Sequence, residues 1–248
     1  MPLADDRDPR VNTDLAFRAS SPQTALSTSR TVLAIFGSGG MGLACARRLA
    51  GGRHVLIGDF SQKNLNFAAR ASQFAQAAAT AGRLETVVHT AGLSPALAPA
   101  NRILDVDLVG TAIIIIDAFE PLMPAGSSLT CIASIARFGA TPSAALARHL
   151  ASAPRRGAPR AAARQPGAAK GGGYAGGGAA ARAWGARGAR INSISPGAIL
   201  TAMLRQELES PSGATITAMI AGSPMGRGRR RMRLPARLRF WRAWTRAS

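Results

Sequence analysis

The chain is short of the residues that build most kinds of reactive centre. It holds one tyrosine, three histidines and two cysteines in 248 residues. Cys45 and Cys131 lack any metal-ligand spacing. No metal site is therefore expected, and a reduced, cytoplasmic protein fits them best. Long apolar runs are also missing. Ile113–Ile116 and its neighbours form the longest aliphatic stretch, well short of the roughly 20 apolar residues that cross a bilayer. Residues 1–30 mix Asp, Arg, Ser and Pro without an apolar core. They read as a flexible leader, and export is not expected.

Acidic residues are missing in a patterned way. Arg137–Arg190 carries ten basic residues and no acid, and Arg227–Ser248 carries nine and no acid. The remaining chain holds twelve of each sign, so the two tracts account for the whole formal net charge of +19. A surface built for nucleic acid is one reading. Two tracts of foreign composition is the other.

What is present alternates. Thr31–Phe36, His54–Asp59, Thr86–His89, Ser128–Ala133 and Arg190–Ile194 are short runs of strand type, the first two apolar. Between them, the residues after Gly42, Lys63–Ala81 and Ile103–Phe119 read as helices. Strands alternating with helices imply a single α/β domain, 31–225, with a doubly wound parallel sheet of Rossmann type. Residues 151–188 break the pattern with Ala, Gly, Arg and Pro, and 226–248 form a basic tail.

The first strand runs into Gly37-Ser38-Gly39-Gly40-Met41-Gly42. Gly37 permits the turn, Gly39 lets backbone approach a pyrophosphate, and Gly42 lets the helix pack closely on the strand. Asp59 follows Gly42 by 17 residues, at the end of the second strand. There a carboxylate accepts hydrogen bonds from ribose hydroxyls and repels a 2′-phosphate, which favours NAD over NADP. A glycine-rich loop that packs and binds nothing would carry the same glycines.

Several segments, in order, resemble the short-chain dehydrogenase/reductase family. Phe36–Gly42 resembles a compact form of its cofactor turn, and His89-Thr90-Ala91-Gly92 its Asn-Asn-Ala-Gly motif. Asp107-Leu108-Val109-Gly110-Thr111 resembles its Asn-x-x-Gly helix start, and Ser134-Ile135-Ala136 the segment of its catalytic serine. Ser195-Pro196-Gly197-Ala198-Ile199-Leu200-Thr201 resembles the segment beside the nicotinamide. The resemblance implies hydride transfer between NAD(H) and a small alcohol or ketone, with a homo-oligomer compatible. It implies cofactor contacts from Gly37, Ser38, Gly39, Met41, Gly42, Asp59, Phe60, Thr90, Ala91, Gly92, Pro196, Gly197, Ile199 and Thr201. The catalytic candidates are Ser134, Tyr174, Lys170 and Asp107.

The chain departs from the family where the chemistry should be. The family pairs a Tyr with a Lys four residues on, so that the cation lowers the phenol pKa. Here Tyr174 is followed at that spacing by Gly178, and Lys170 is preceded by Pro166. Tyr174 and Lys170 keep the spacing in reversed order. Glycines at 171–173 and 176–178 disfavour a helix there, at about 1 kcal/mol each. Asp107 stands where the family has Asn. Only fifty residues separate Gly42 from Gly92, which leaves no room for the family's third strand, and its final strand is absent too. Read out of register with GC-rich codons, Gly228–Ser248 yields an acid-bearing run that resembles the family's penultimate helix. That is the pattern of a frameshift.

Two functions follow. One is an NAD(H)-dependent oxidoreductase by descent with impaired catalysis. The other is a non-catalytic nucleotide-binding protein whose tail, with Phe240, Trp241 and Trp244 among arginines, meets nucleic acid or an anionic membrane. The tail contact is the weaker expectation. The segment after Thr201 carries no charge diagnostic of a substrate.

Overall fold

A strand buried on both faces needs apolar residues at successive positions, and Thr31–Phe36 (β1) supplies them: five of its six residues are buried. The computed structural model describes residues 31–59, 67–111, 118–135, 144, 181–224 and 226–230. His54–Gly58 (β2) and Arg83–His89 (β3) pair with β1 in parallel, one on each side. Ser128–Ile132 (β4) joins β3, and Arg190–Ile194 (β5) joins β4, again in parallel. The sheet order is β2-β1-β3-β4-β5.

Alternate residues of β1 serve opposite faces, as the period of two requires. Val32, Ala34 and Phe36 pack with Ala71, Ala75 and Ala78 of helix α2, Phe67–Thr80. Leu33 and Ile35 pack with Cys45, Ala46 and Leu49 of helix α1, Gly40–Leu49. Helices thus cover both faces, which is the doubly wound arrangement expected. Trp184, on a helix at 181–186 (α4), is fully buried in the α2-side cluster. That helix lies within the span that reads as irregular. The tract from 151 to 180 lies outside the described residues, as do the leader 1–30 and the tail from 231.

Bounds of β1 and β5 match the sequence pattern. β3 begins three residues earlier than its apolar run, because two charged residues disguise its start. Arg83 donates to the Ala125 carbonyl at 2.8 Å. Glu85, 4% exposed, is bonded by Arg53 Nε at 2.9 Å. The helix expected over Ile103–Phe119 is present at both described ends. Ala100–Ile103 (α3) runs into a π-helical stretch, Leu104–Gly110, while 112–117 lie outside the described residues. Among the described residues no strand pairs beyond β2 or β5. The central pair β1 and β3 keeps neighbours on both sides.

Beyond β5 come Ile199–Leu200 (β6), helix Ala202–Glu209 (α5), helix Gly213–Ala221 (α6) and Arg229–Arg230 (β7), which pairs with β6. Among the described residues no helix is long and apolar enough to cross a membrane, and no cluster of metal-ligating side chains occurs.

Candidate active site at the carboxyl ends of the strands

In an open parallel sheet, ligands bind beyond the strand carboxyl ends, where neighbouring crossovers run to opposite faces. A cleft of about 300 Å³ lies there, walled by Gly37, Gly39, Met41, Asp59, Thr90 to Gly92 and Thr201 among others. The glycine turn forms its floor. Gly37 has φ +106°, and a Cβ on it would stand 2.6 Å from both the Ala91 nitrogen and Thr90 Oγ1. Gly42 faces the Gly37 carbonyl and Thr90 Oγ1 so closely that a Cβ would overlap them. The turn, the start of α1 and the end of β3 are thus stacked without space for side chains. Thr90 locks the stack: its hydroxyl donates toward the carbonyls of Phe36 and Gly37 at 3.2 and 3.1 Å, and its N–H donates to Phe36 O at 2.7 Å.

Gly39 is the contrast. A Cβ there would meet nothing within 4 Å. It caps α1 without a side-chain bond, and the first turn of the helix carries no acid. The first N–H groups of a helix lack intrahelical partners and favour an anion. Opposite them, Asp59 closes the cleft at the end of β2. Its Oδ2 accepts from the Ser38 N–H at 2.9 Å and from the Ser38 hydroxyl. Ser38 therefore positions the carboxylate.

Asp107, a catalytic candidate by its motif, is 7% exposed, and its Oδ1 accepts from the Leu93 N–H at 2.8 Å. It holds the Gly92–Leu93 turn onto the π-helical segment and lines a small recess of about 60 Å³ beside Cys131. Burial pushes the Cys131 thiol far up and lowers His89 from 6.5 to about 4. His89 lies stacked on Phe36, ring centroids 5.6 Å apart. Its Nε2 has no hydrogen-bond partner among the described residues.

A second cavity of about 350 Å³ adjoins the first and shares Met41, Thr201 and Met203 with it. Ser134, Pro196, Gly197 and Ile199 line this one. Thr201 stands at the junction and caps α5, its Oγ1 accepting from Leu204 N–H at 3.3 Å. The cofactor candidates therefore divide between the two cavities, with Gly42 behind the turn and Ser38 against Asp59. Phe60, Lys170 and Tyr174 lie outside the described residues. Sequence reasoning missed His89, Met203 and Glu207 as wall residues. For His89 the signal was available, since it ends β3 immediately before Thr90. Glu207 gave none, because its approach depends on how α5 docks.

The residues present fit a dinucleotide. An open glycine, an uncapped helix start and a carboxylate at the neighbouring strand end surround one continuous cleft.

No protein-family profile matches the chain. It is 32% identical over 231 residues to the short-chain dehydrogenase/reductase bsc3 of Alternaria brassicicola, covering 80% of this chain and 84% of that protein. Its structure is similar to that of the 3-alpha-hydroxysteroid dehydrogenase from Pseudomonas sp. B-0831 complexed with NADH, with TM-score 0.69 and 22% identity over 85% of this chain and 89% of that one. BdcA in complex with NADPH gives TM-score 0.61 and 18% identity over 86% and 87% of the two chains. At these identities the structural likenesses bear on the fold alone.

Proposed function

The chain belongs to the short-chain dehydrogenase/reductase family of oxidoreductases, and from that premise we propose that it binds NAD(H) in preference to NADP(H) while its proton-transfer machinery is impaired. The observation that carries the first part is the stacked Gly37–Gly42 turn, open only at Gly39 and faced by Asp59. The N–H groups at the start of α1 receive the pyrophosphate, and Asp59 accepts from the ribose hydroxyls. When bound, the nicotinamide supplies or takes up the hydride. A small alcohol or ketone enters the adjoining cavity, where the Ser134 hydroxyl donates to its oxygen.

That oxygen must also exchange a proton, and the chain is poorly equipped for it. Lys170 has Pro166 where a tyrosine is needed, and Tyr174 stands on the wrong side of the lysine. His89 is held neutral and buried, Cys131 is held protonated, and the buried Asp107 already takes the Leu93 N–H. Neither His89 nor Cys131 is poised to trade a proton near neutral pH. Free, buried Cys45 and Cys131 support a reducing, cytoplasmic setting. The test is calorimetry with NADH and NADPH beside a turnover assay. Expected are NADH binding, weaker NADPH binding and turnover near background. Tighter NADPH binding would overturn the cofactor preference.

A further inference from the structure

The adjoining cavity is apolar over most of its wall, including Met41, Pro95, Ile199, Met203 and Met219. Among the described residues that line it, Glu207 alone carries a charge. Glu207 is half-buried in the last turn of α5, whereas its neighbour Arg205 is exposed and does not line the cavity. The Ser210 hydroxyl donates to the Glu207 carbonyl at 2.6 Å and tightens that helix end. No ion pair to the Glu207 carboxylate occurs among the described residues. A half-buried carboxylate on an apolar wall acts on a charge brought into the same space.

Resting on the dehydrogenase reading of this site, we infer that Glu207 sets the substrate class. The cavity takes an alcohol or ketone with an apolar body and a distal hydrogen-bond donor, hydroxyl or ammonium, and rejects carboxylates, phosphates and acyl-CoA esters. Ser134 and Glu207 both line this cavity, and in this reading Ser134 meets the reacting oxygen and Glu207 the donor. A site built to receive a donor discriminates because an anion leaves the carboxylate both unpaired and repelled.

The test uses the full chain with NADH present and three para-substituted cyclohexanols bearing an aminomethyl, a hydroxymethyl or a carboxylate group. Binding is followed by ligand-observed NMR. The aminomethyl compound is expected to bind roughly tenfold to a hundredfold more tightly than the carboxylate, with the hydroxymethyl compound between them. Glu207→Gln should bring the two charged compounds level, and Glu207→Lys should reverse their order. Equal binding in the unsubstituted protein, an order unchanged by Glu207→Gln, or no binding of any of the three overturns the inference. An NADH titration of the same samples reports separately on the dehydrogenase reading. Its failure, with the order of the cyclohexanols intact, strikes that reading and leaves the role of Glu207 standing.

Discussion

The half of the sheet that carries the glycine turn and the half that carries Ser134 are held by different kinds of contact. Around Gly37, three pieces of chain touch at backbone distance, and Thr90 closes them with three hydrogen bonds to two carbonyls. Nothing there depends on a side chain from far along the chain except Thr90 and Asp59. Around Ser134, the wall is assembled from α1, the end of β4, the segment after β5 and both helices α5 and α6. A nucleotide fold written in local backbone geometry depends little on the edges of its sheet. A catalytic constellation needs several distant side chains at once, so one shift of register removes it.

The widest gap between the halves is chemical. If the proton-transfer pair is broken while the nucleotide cleft is intact, turnover should fall by roughly 10²–10⁴-fold relative to a site with general acid–base help. NADH formation or consumption across secondary alcohols, hydroxysteroids and ketones measures it, and near-background rates are expected. Robust turnover that survives Tyr174→Phe and Lys170→Ala would mean the second half uses residues not identified above. Turnover abolished by either would mean the reversed pair works.

His89 sits on the seam, at the end of β3 and beside Phe36. Burial lowers its pKa from 6.5 to about 4. The unfolded chain binds this proton below about pH 6.5 and the folded chain only near pH 4, so the unfolded state holds more protons in between. The contribution is therefore fully present above pH 6.5 and is lost as pH falls toward 4, by on the order of 3 kcal/mol. His89→Leu should flatten that part of the curve. Urea midpoints between pH 7 and pH 4 for the two proteins check it, and parallel curves would show that His89 titrates without strain.

The same contrast governs what could be read without a structure. A glycine required by a close approach is a requirement one residue wide, and Gly37, Gly39 and Gly42 stand at their expected spacing. β1 was legible because its apolar run is uninterrupted, and β5 because its short run RINSI ends at the Ser195-Pro196-Gly197 turn. β3 was partly hidden because Arg83 and Glu85 are charged, and only the fold supplies Ala125 O and Arg53 as their partners. Asp107 reads as a catalytic candidate from its motif, yet its oxygen is engaged by a backbone N–H fourteen residues away in sequence. Glu207 was invisible for a related reason. Its exposed neighbours Arg205 and Gln206 make the segment look like an ordinary solvated helix, and only the docking of α5 turns one of its charges to the cavity.

Two glycines in one turn sharpen the claim that the first half is built by backbone packing. At Gly42 a Cβ meets the Gly37 carbonyl, while at Gly39 it meets open space. Gly42→Ala should therefore destabilise the fold by about 1–3 kcal/mol, as overpacking does. Gly39→Ala should leave the melting temperature nearly unchanged and weaken NADH binding instead. Thermal melts read beside NADH titrations separate the two. Equal loss of stability in both variants would mean that Gly39 is a packing residue and that the cleft is not shaped for a ligand.

The smallest expected effect concerns Asp59, and it tests whether the first half selects its nucleotide by charge. A carboxylate at that position repels a 2′-phosphate and accepts from the ribose hydroxyls, so Asp59→Asn should reduce the preference for NADH over NADPH, by about tenfold. Asp59 also accepts from the N–H and hydroxyl of Ser38, so a loosened turn and lost charge are two separate causes of a change in preference. Ser38→Ala separates these causes. It removes the hydroxyl donor, keeps the N–H bond and leaves the charge, so the preference should persist. Salt gives a second separation, because the partner charges are exposed and the Debye length falls from about 10 Å at 0.1 M to about 3 Å at 1 M. The preference of the unsubstituted protein should shrink as salt rises, while the already reduced preference of Asp59→Asn should move little. A preference that ignores salt and collapses in Ser38→Ala would assign selection to the shape of the turn and not to the carboxylate.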